Sequence, residues 1–202
     1  MDALLEERAA VSEVLKLFMS LFDGPPPPAV AASLLESVFP RLRETLNLDD
    51  PREPILPGDF QDEYEPLFLI PPPVAPVSPY TSRYRSDESG RGDEYDSELV
   101  TLGLALGLPW KKEEFIPGRA YPVAPHHLSV LFGFLSVLVI LDPAVDILQK
   151  TAQEWNHTLL GDVYGALAQM EGVLRDSSRL YPAYTEVIRI GCAYVRECQS
   201  FL

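Results

Sequence analysis

Residues 128–141, LSVLFGFLSVLVIL, decide the fold. The run opens after His126-His127 and stops at Asp142-Pro143. It holds 14 residues and no charge, short of the roughly 20 needed to cross a bilayer. A helix that is apolar on nearly every face belongs in the middle of other helices. The rest of the chain should therefore supply amphipathic helices to cover it.

Those helices can be read outward from the run. In residues 2–22, Leu4, Val11, Leu15, Phe18 and Phe22 fall on one stripe, with Val14, Leu17 and Leu21 beside it. The spacing is three and four, not two. Asp23-Gly24 and four consecutive prolines, Pro25 to Pro28, end this helix. A second helix spans 29–46, with Leu34, Leu35, Val38, Phe39 and Leu42 inward and a kink at Pro40. A short helix is expected around 59–69 and another over 93–106, the latter ended by Gly107-Leu108-Pro109. Asp142 is placed as the cap of a helix running to about 154, with Pro143 at its first position. Helix continues from Trp155 to about Leu174, loosened by Gly161, Gly165 and Gly172. The last helix covers 182–200, with Val187, Ile190, Ala193, Tyr194 and Val195 inward. No alternating run bounded by hairpin turns stands out. The class is all-α: one helical domain over residues 1–202, bundled around a buried central helix.

Twenty prolines in 202 residues are about twice ordinary usage, so long loops are expected. Residues 71–92, rich in Pro, Ser, Tyr and Arg, form the longest, a candidate hinge for swapping elements between copies. The chain is expected as a monomer or a domain-swapped dimer. Residues 110–125 form a second irregular connection.

Charge narrows the partner. Sixteen Lys and Arg against thirty Asp and Glu leave a net charge of −14. Such a surface repels nucleic acid and anionic lipid and attracts a basic partner. Cys192 and Cys198 lie six residues apart on one helix, about 9 Å between Cα atoms, too far for a disulfide. They read as reduced thiols. The N-terminal stretch MDALLEERAAVSEV carries acids early and is not a secretory signal. A cytoplasmic protein without stable membrane insertion is expected.

Signatures of catalysis are absent: no P-loop, H-E-x-x-H, C-x-x-C or G-x-S-x-G occurs. Gly90-Arg91-Gly92 follows no strand and carries no phosphate-loop meaning. His126 and His127, as neighbours, point about 100° apart and do not converge on one ion. No metal, cofactor or catalytic residue is expected; one histidine should cap the buried helix and the other face solvent or pack. Asp62, Glu63 and Glu65 read first as a solvated acidic face and second as a docking face for positive charge.

Two segments carry a resemblance. Residues 63–84 read EYEPLFLIPPPVAPVSPYTSRY, and residues 124–135 read APHHLSVLFGFL. In that order they resemble the TorD/DmsD/NarJ family of molybdoenzyme maturation chaperones. Tyr64, Leu67, Phe68 and Pro71 match a tyrosine followed by Leu-Phe and prolines. Pro79, Tyr80 and Tyr84 match the Pro-Tyr-x-x-x-Tyr loop. Pro125, His127 and Leu128 match the element that leads the long apolar helix. The family's aspartate before the histidine is His126 here, and its following acids are replaced by Leu131 and Gly133.

The resemblance implies a helical assembly chaperone and no enzyme. Its partner would be the apo catalytic subunit of a molybdopterin oxidoreductase, held until the cofactor is inserted; many such clients carry a twin-arginine leader that the chaperone binds, while some in the nitrate reductase branch lack a functional export signal and are only assisted in assembly. Tyr64, Phe68, Pro79, Tyr80, Tyr84, His126, His127 and Phe134 are the expected client-binding residues, with Asp62, Glu63 and Glu65 meeting the arginines. The residues themselves favour core packing for Leu67, Phe68, Leu128 and Phe134, and function for the loop tyrosines Tyr80 and Tyr84. A generic helical adaptor for another basic segment is the alternative.

Overall fold

The computed structural model describes residues 2–69, 75–84, 92–107 and 124–201. The expected connection over 110–125 lies outside them up to residue 123. So do Gly90, Arg91 and much of the candidate hinge.

The buried helix is α6, Leu128–Leu138, and ten of its eleven residues are buried. It lies chiefly against α1 (Asp2–Asp23) and α7 (Ala152–Leu174), while α8 (Pro182–Phe201) lies along α7. The α1 stripe turns inward as its spacing requires. Leu15, Phe18, Leu21 and Phe22 are buried and Val11, Val14 and Leu17 half-buried; the Leu4 side chain lies outside the described ones. Phe132 of α6 stacks on Phe18 and Phe22, with ring centroids at 5.4 and 5.7 Å. Polar groups inside this interface are satisfied. Ser12 Oγ donates to Ser136 O at 2.7 Å, and Ser136 Oγ to Gly133 O at 2.8 Å. Arg8 Nη1 donates to Leu141 O at 3.0 Å, placing a cation beyond the carbonyl end of α6.

Gly191 lets α8 come close: a Cβ there would stand 3.2 Å from the Phe18 ring and 3.4 Å from Leu167. Both cysteines on α8 are buried free thiols. Among the described residues no helix is long and apolar enough to cross a membrane.

The second helical stretch is divided by its proline. Segments α2 (Pro28–Ser33) and α3 (Phe39–Thr45) flank a π-helical turn, Leu34–Val38. Phe39 N–H donates to Leu34 O, five residues back. The wider turn relieves the clash of Pro40 with the preceding carbonyls. Leu34 and Phe39 are buried, while Leu35, Val38 and Leu42 are half-buried against the core. A short α4, Asp59–Tyr64, again loosens into a π turn, Glu65–Leu69, at Pro66. Then α5 spans Gly92–Ala105 and is closed by Gly107 in the left-handed region, φ +68°.

One expected element is overturned. Residues 142–151 are not helical. Asp142 Oδ1 accepts from Ala144 N at 2.9 Å in a turn, and a two-residue hairpin follows, β1 (Asp146–Ile147) against β2 (Lys150–Thr151). Leu148 and Gln149 make its tip with φ of +54° and +70°. The Trp155 indole pins it, donating to Ile147 O at 3.0 Å. The true start of α7 is Thr151. Its Oγ1 accepts from Glu154 N while the Glu154 carboxylate accepts from Thr151 N, a reciprocal cap that outcompetes Asp142-Pro143.

Candidate functional site

Two loop segments distant in sequence are joined at the start of α6. Pro79 O accepts from Leu128 N at 2.8 Å, and Thr81 N donates to His126 O at 3.0 Å. These bonds make an isolated antiparallel bridge, Tyr80 opposite His127. Thr81 Oγ1 reaches the same His126 carbonyl at 3.2 Å. The loop side is stiffened from within. Ser78 N donates to the Tyr84 hydroxyl at 2.7 Å, and residues 81–84 form a 3-10 turn. It is also moored to α7, where Gln169 Nε2 donates to Tyr84 O at 2.9 Å. Burial pushes the Tyr84 phenol above its ordinary pKa.

The bridge stacks three rings. Tyr80 meets His126 edge-on at 5.5 Å and His127 edge-on at 5.0 Å. The two histidines then divide in role. His127 is buried and caps α6: its Nδ1 accepts from Ser129 N at 3.2 Å and lies 2.7 Å from Ser129 Oγ. His126 remains half-buried, with Nδ1 2.8 Å from Asp96 Oδ1 of α5. Two loops and two helices thus converge on Tyr80 and His126, which keep part of their rings at the surface.

The other expected residues lie elsewhere. Tyr64, Phe68 and Phe134 are core. The Tyr64 hydroxyl donates to Asp23 O at 2.8 Å, and the Phe68 ring packs edge-on to Phe22 and Tyr184. Pro79 is buried under the bridge. The acidic triplet is split. Asp62 and Glu65 are exposed, but Glu63 is buried and corrects the reading of a uniformly solvated face. Its two carboxylate oxygens accept from Ala183 N at 3.0 Å and Tyr184 N at 2.9 Å, capping α8. Burial outweighs these bonds, with Asp59 and Asp62 adding to it, and its pKa is pushed up to about 7.

Asp96, Ser129 and Gln169 were not anticipated from the sequence. Only Asp96 has a local signal: it follows Tyr95, which begins the buried 95-99-102 stripe of α5, so it lies at the edge of the inward face. Among the described residues no group of three or more His, Cys, Asp or Glu could hold a metal ion. What the arrangement offers is aromatic edge and imidazole surface on a stiffened bridge, a means of binding. No family profile, curated protein or solved structure matches the chain.

Proposed function

We propose that this chain is a cytoplasmic assembly chaperone of the TorD/DmsD/NarJ type. It binds the apo catalytic subunit of a molybdopterin oxidoreductase, and that subunit's twin-arginine leader, until the cofactor is in place. The observation that carries this reading is the Tyr80–His127 bridge. The two segments on which the resemblance rests meet there, although Thr81 and His126 are 45 residues apart. Tyr80 and His126 supply a partly exposed aromatic surface, and the net charge of −14 favours encounter with a basic leader. Binding and release need no catalytic residue.

The test is complex formation between the purified chain and an apo catalytic subunit, followed by calorimetry as salt is raised. A stoichiometric complex that weakens with salt supports the reading. Asp62→Lys with Glu65→Lys should weaken it and flatten its salt dependence, because both side chains are exposed and their reversal leaves the core untouched. Turnover of a small molecule by the purified chain, or indifference to every apo-subunit and leader at low ionic strength, overturns it. Partners recovered from native cells without any molybdoenzyme subunit would favour the generic adaptor instead.

A further inference from the structure

The contact between Asp96 and His126 leaves one atom of each residue open. A carboxylate can only accept, so the 2.8 Å contact of Asp96 Oδ1 with His126 Nδ1 places the imidazole proton on Nδ1. In the neutral ring Nε2 is then an acceptor. Asp96 Oδ2 and His126 Nε2 have no partner among the described residues, and neither is sealed from water. The ring is held in place, with Tyr80 edge-on at 5.5 Å and Thr81 bonded to the His126 carbonyl. The other charged and titratable groups on the packed elements are accounted for. The loop over 75–84 carries one cation, the exposed Arg83, and the Tyr84 hydroxyl accepts from Ser78 N. The described part of α5 adds Glu98, which pairs with Lys150 at 3.7 Å. On α7, Asp162 accepts from the Tyr95 hydroxyl. Helix α6 carries no charge, and His127 is engaged in its cap.

We propose that Asp96 and His126 form a proton-gated site for a guanidinium or ammonium group of a partner polypeptide. With the imidazole neutral, Asp96 Oδ2 and His126 Nε2 present two acceptors and one negative charge. That suits a cation rich in donors and leaves a carboxylate or a carbonyl unmatched. Protonation puts a hydrogen on Nε2 and a positive charge beside Asp96. The two residues are then an internal ion pair without net charge, and the acceptor has become a donor. The partner's cation loses one bond and its counter-charge together. Imidazole is the side chain that ordinarily changes charge between about pH 5 and 8, so affinity for the cation rises with pH across that range. By reciprocity, a bound cation opposes protonation of the ring. Arg83 keeps its charge throughout and leaves this direction unchanged. Identifying the cation with the basic leader of a client rests on the chaperone reading; the proton gate does not.

The test uses the full chain and labelled Gly-Ser peptides with a central pair of arginines or of citrulline, the uncharged isostere, followed by fluorescence anisotropy. At about pH 8 the arginine peptide is expected to bind about tenfold tighter, the scale of one charge-assisted hydrogen bond. At about pH 5.5 that advantage should vanish. Asp96→Asn should remove it at both values. His126→Gln keeps a donor for Asp96 and an acceptor beside it but cannot ionise, so it should keep the advantage and lose the pH dependence. Equal binding of the two peptides by the unaltered chain at about pH 8 overturns the proposal. So does an advantage undiminished in Asp96→Asn. So does the same fall with pH in His126→Gln, which would assign it to the charge of the whole chain or to Glu63. Capture of an apo-subunit that ignores pH, with the peptides behaving as expected, would overturn the identification of the cation with a client and leave the chaperone reading standing. Failure of that capture at every pH, with peptide selectivity intact, would overturn the chaperone reading and leave the gate.

Discussion

Two carboxylates are buried beside the first turns of α8, and they are held in opposite ways. Glu63 reaches in from α4 and meets only dipoles, the N–H groups of Ala183 and Tyr184; the charges nearest it, Asp59 and Asp62, are acids. Glu186 belongs to α8 and meets two guanidiniums. It accepts from Arg43 Nη1 at 3.0 Å and from Arg189 Nε and Nη2 at 2.9 and 3.0 Å. Their exposures are nearly equal, 4% and 3%. Burial alone therefore does not decide how an acid behaves; the counter-charge does. Around Glu63 it makes stability depend on pH, and around Glu186 it makes stability depend on keeping all three partners.

The largest expected effect comes from breaking the second arrangement. Glu186→Ala leaves Arg43 and Arg189 facing each other at side-chain exposures of 13% and 23%, with no carboxylate between them. Removing one partner of a buried pair costs about 3–5 kcal/mol, and partial exposure of the arginines points to the lower end. The chain at Asp49 and Asp50 should loosen as well, since Arg189 Nη2 also donates to Asp49 O at 2.7 Å and Arg43 pairs with Asp50. Urea unfolding would show a lower midpoint with an unchanged slope. A loss below about 1 kcal/mol would mean that the network behaves as a surface pair, and the contrast with Glu63 would lose its basis.

Glu63 sharpens the comparison through pH. Its folded pKa of about 7 lies above the ordinary 4.5, so the folded chain holds a proton that the unfolded chain releases. Between these values the folded state binds more protons, and stability falls as pH rises. The stabilisation is complete below about 4.5 and is lost through about 7; the interval corresponds to about 3 kcal/mol. Glu63→Gln keeps one acceptor and cannot ionise. The stability of the unaltered chain minus that of Glu63→Gln should therefore fall across this window and level off above it. A difference that stays flat would show that the N-terminal dipole of α8 holds the carboxyl in its ordinary range despite burial.

The same two glutamates show how far the sequence could be read. Phe60, Glu63, Tyr64, Leu67 and Phe68 follow the spacing of one helical face, and all five are buried. Read by period, Glu63 belongs to the core; read by its neighbours Asp62 and Glu65, it looks like surface, and charge prevailed wrongly. The apolar run at 128–141, the kink at Pro40 and the helix ends at Asp23 and Gly107 were legible because each rests on a local rule. The hairpin tip was not, because Leu148 and Gln149 replace the Asn-Gly pair that normally marks two successive left-handed residues. Thr151-x-x-Glu154 was a readable cap that Asp142-Pro143 obscured. The bridge between Tyr80 and His127 had no periodic trace at all, since both lie on irregular chain and meet only through tertiary packing.

The smallest effect tests whether the lesson of Glu186 extends to the candidate site. Asp96 and His126 make the same kind of contact, carboxylate to cationic-capable nitrogen, at 2.8 Å. Their side chains are 35% and 18% exposed, so water competes for both and the pair contributes less than about 1 kcal/mol. Asp96→Asn keeps an oxygen within reach of Nδ1 and should lower the melting temperature by no more than about 3 °C in a chain of this length. Its visible consequence should be local. With the weaker partner His126 is less firmly oriented, and NMR should show shifts for the Tyr80 and His126 rings while the Phe18 and Phe132 resonances stay in place. A destabilisation as large as that of Glu186→Ala would mean that the bridge, rather than the ion network on α8, ties α5 to the body of the fold.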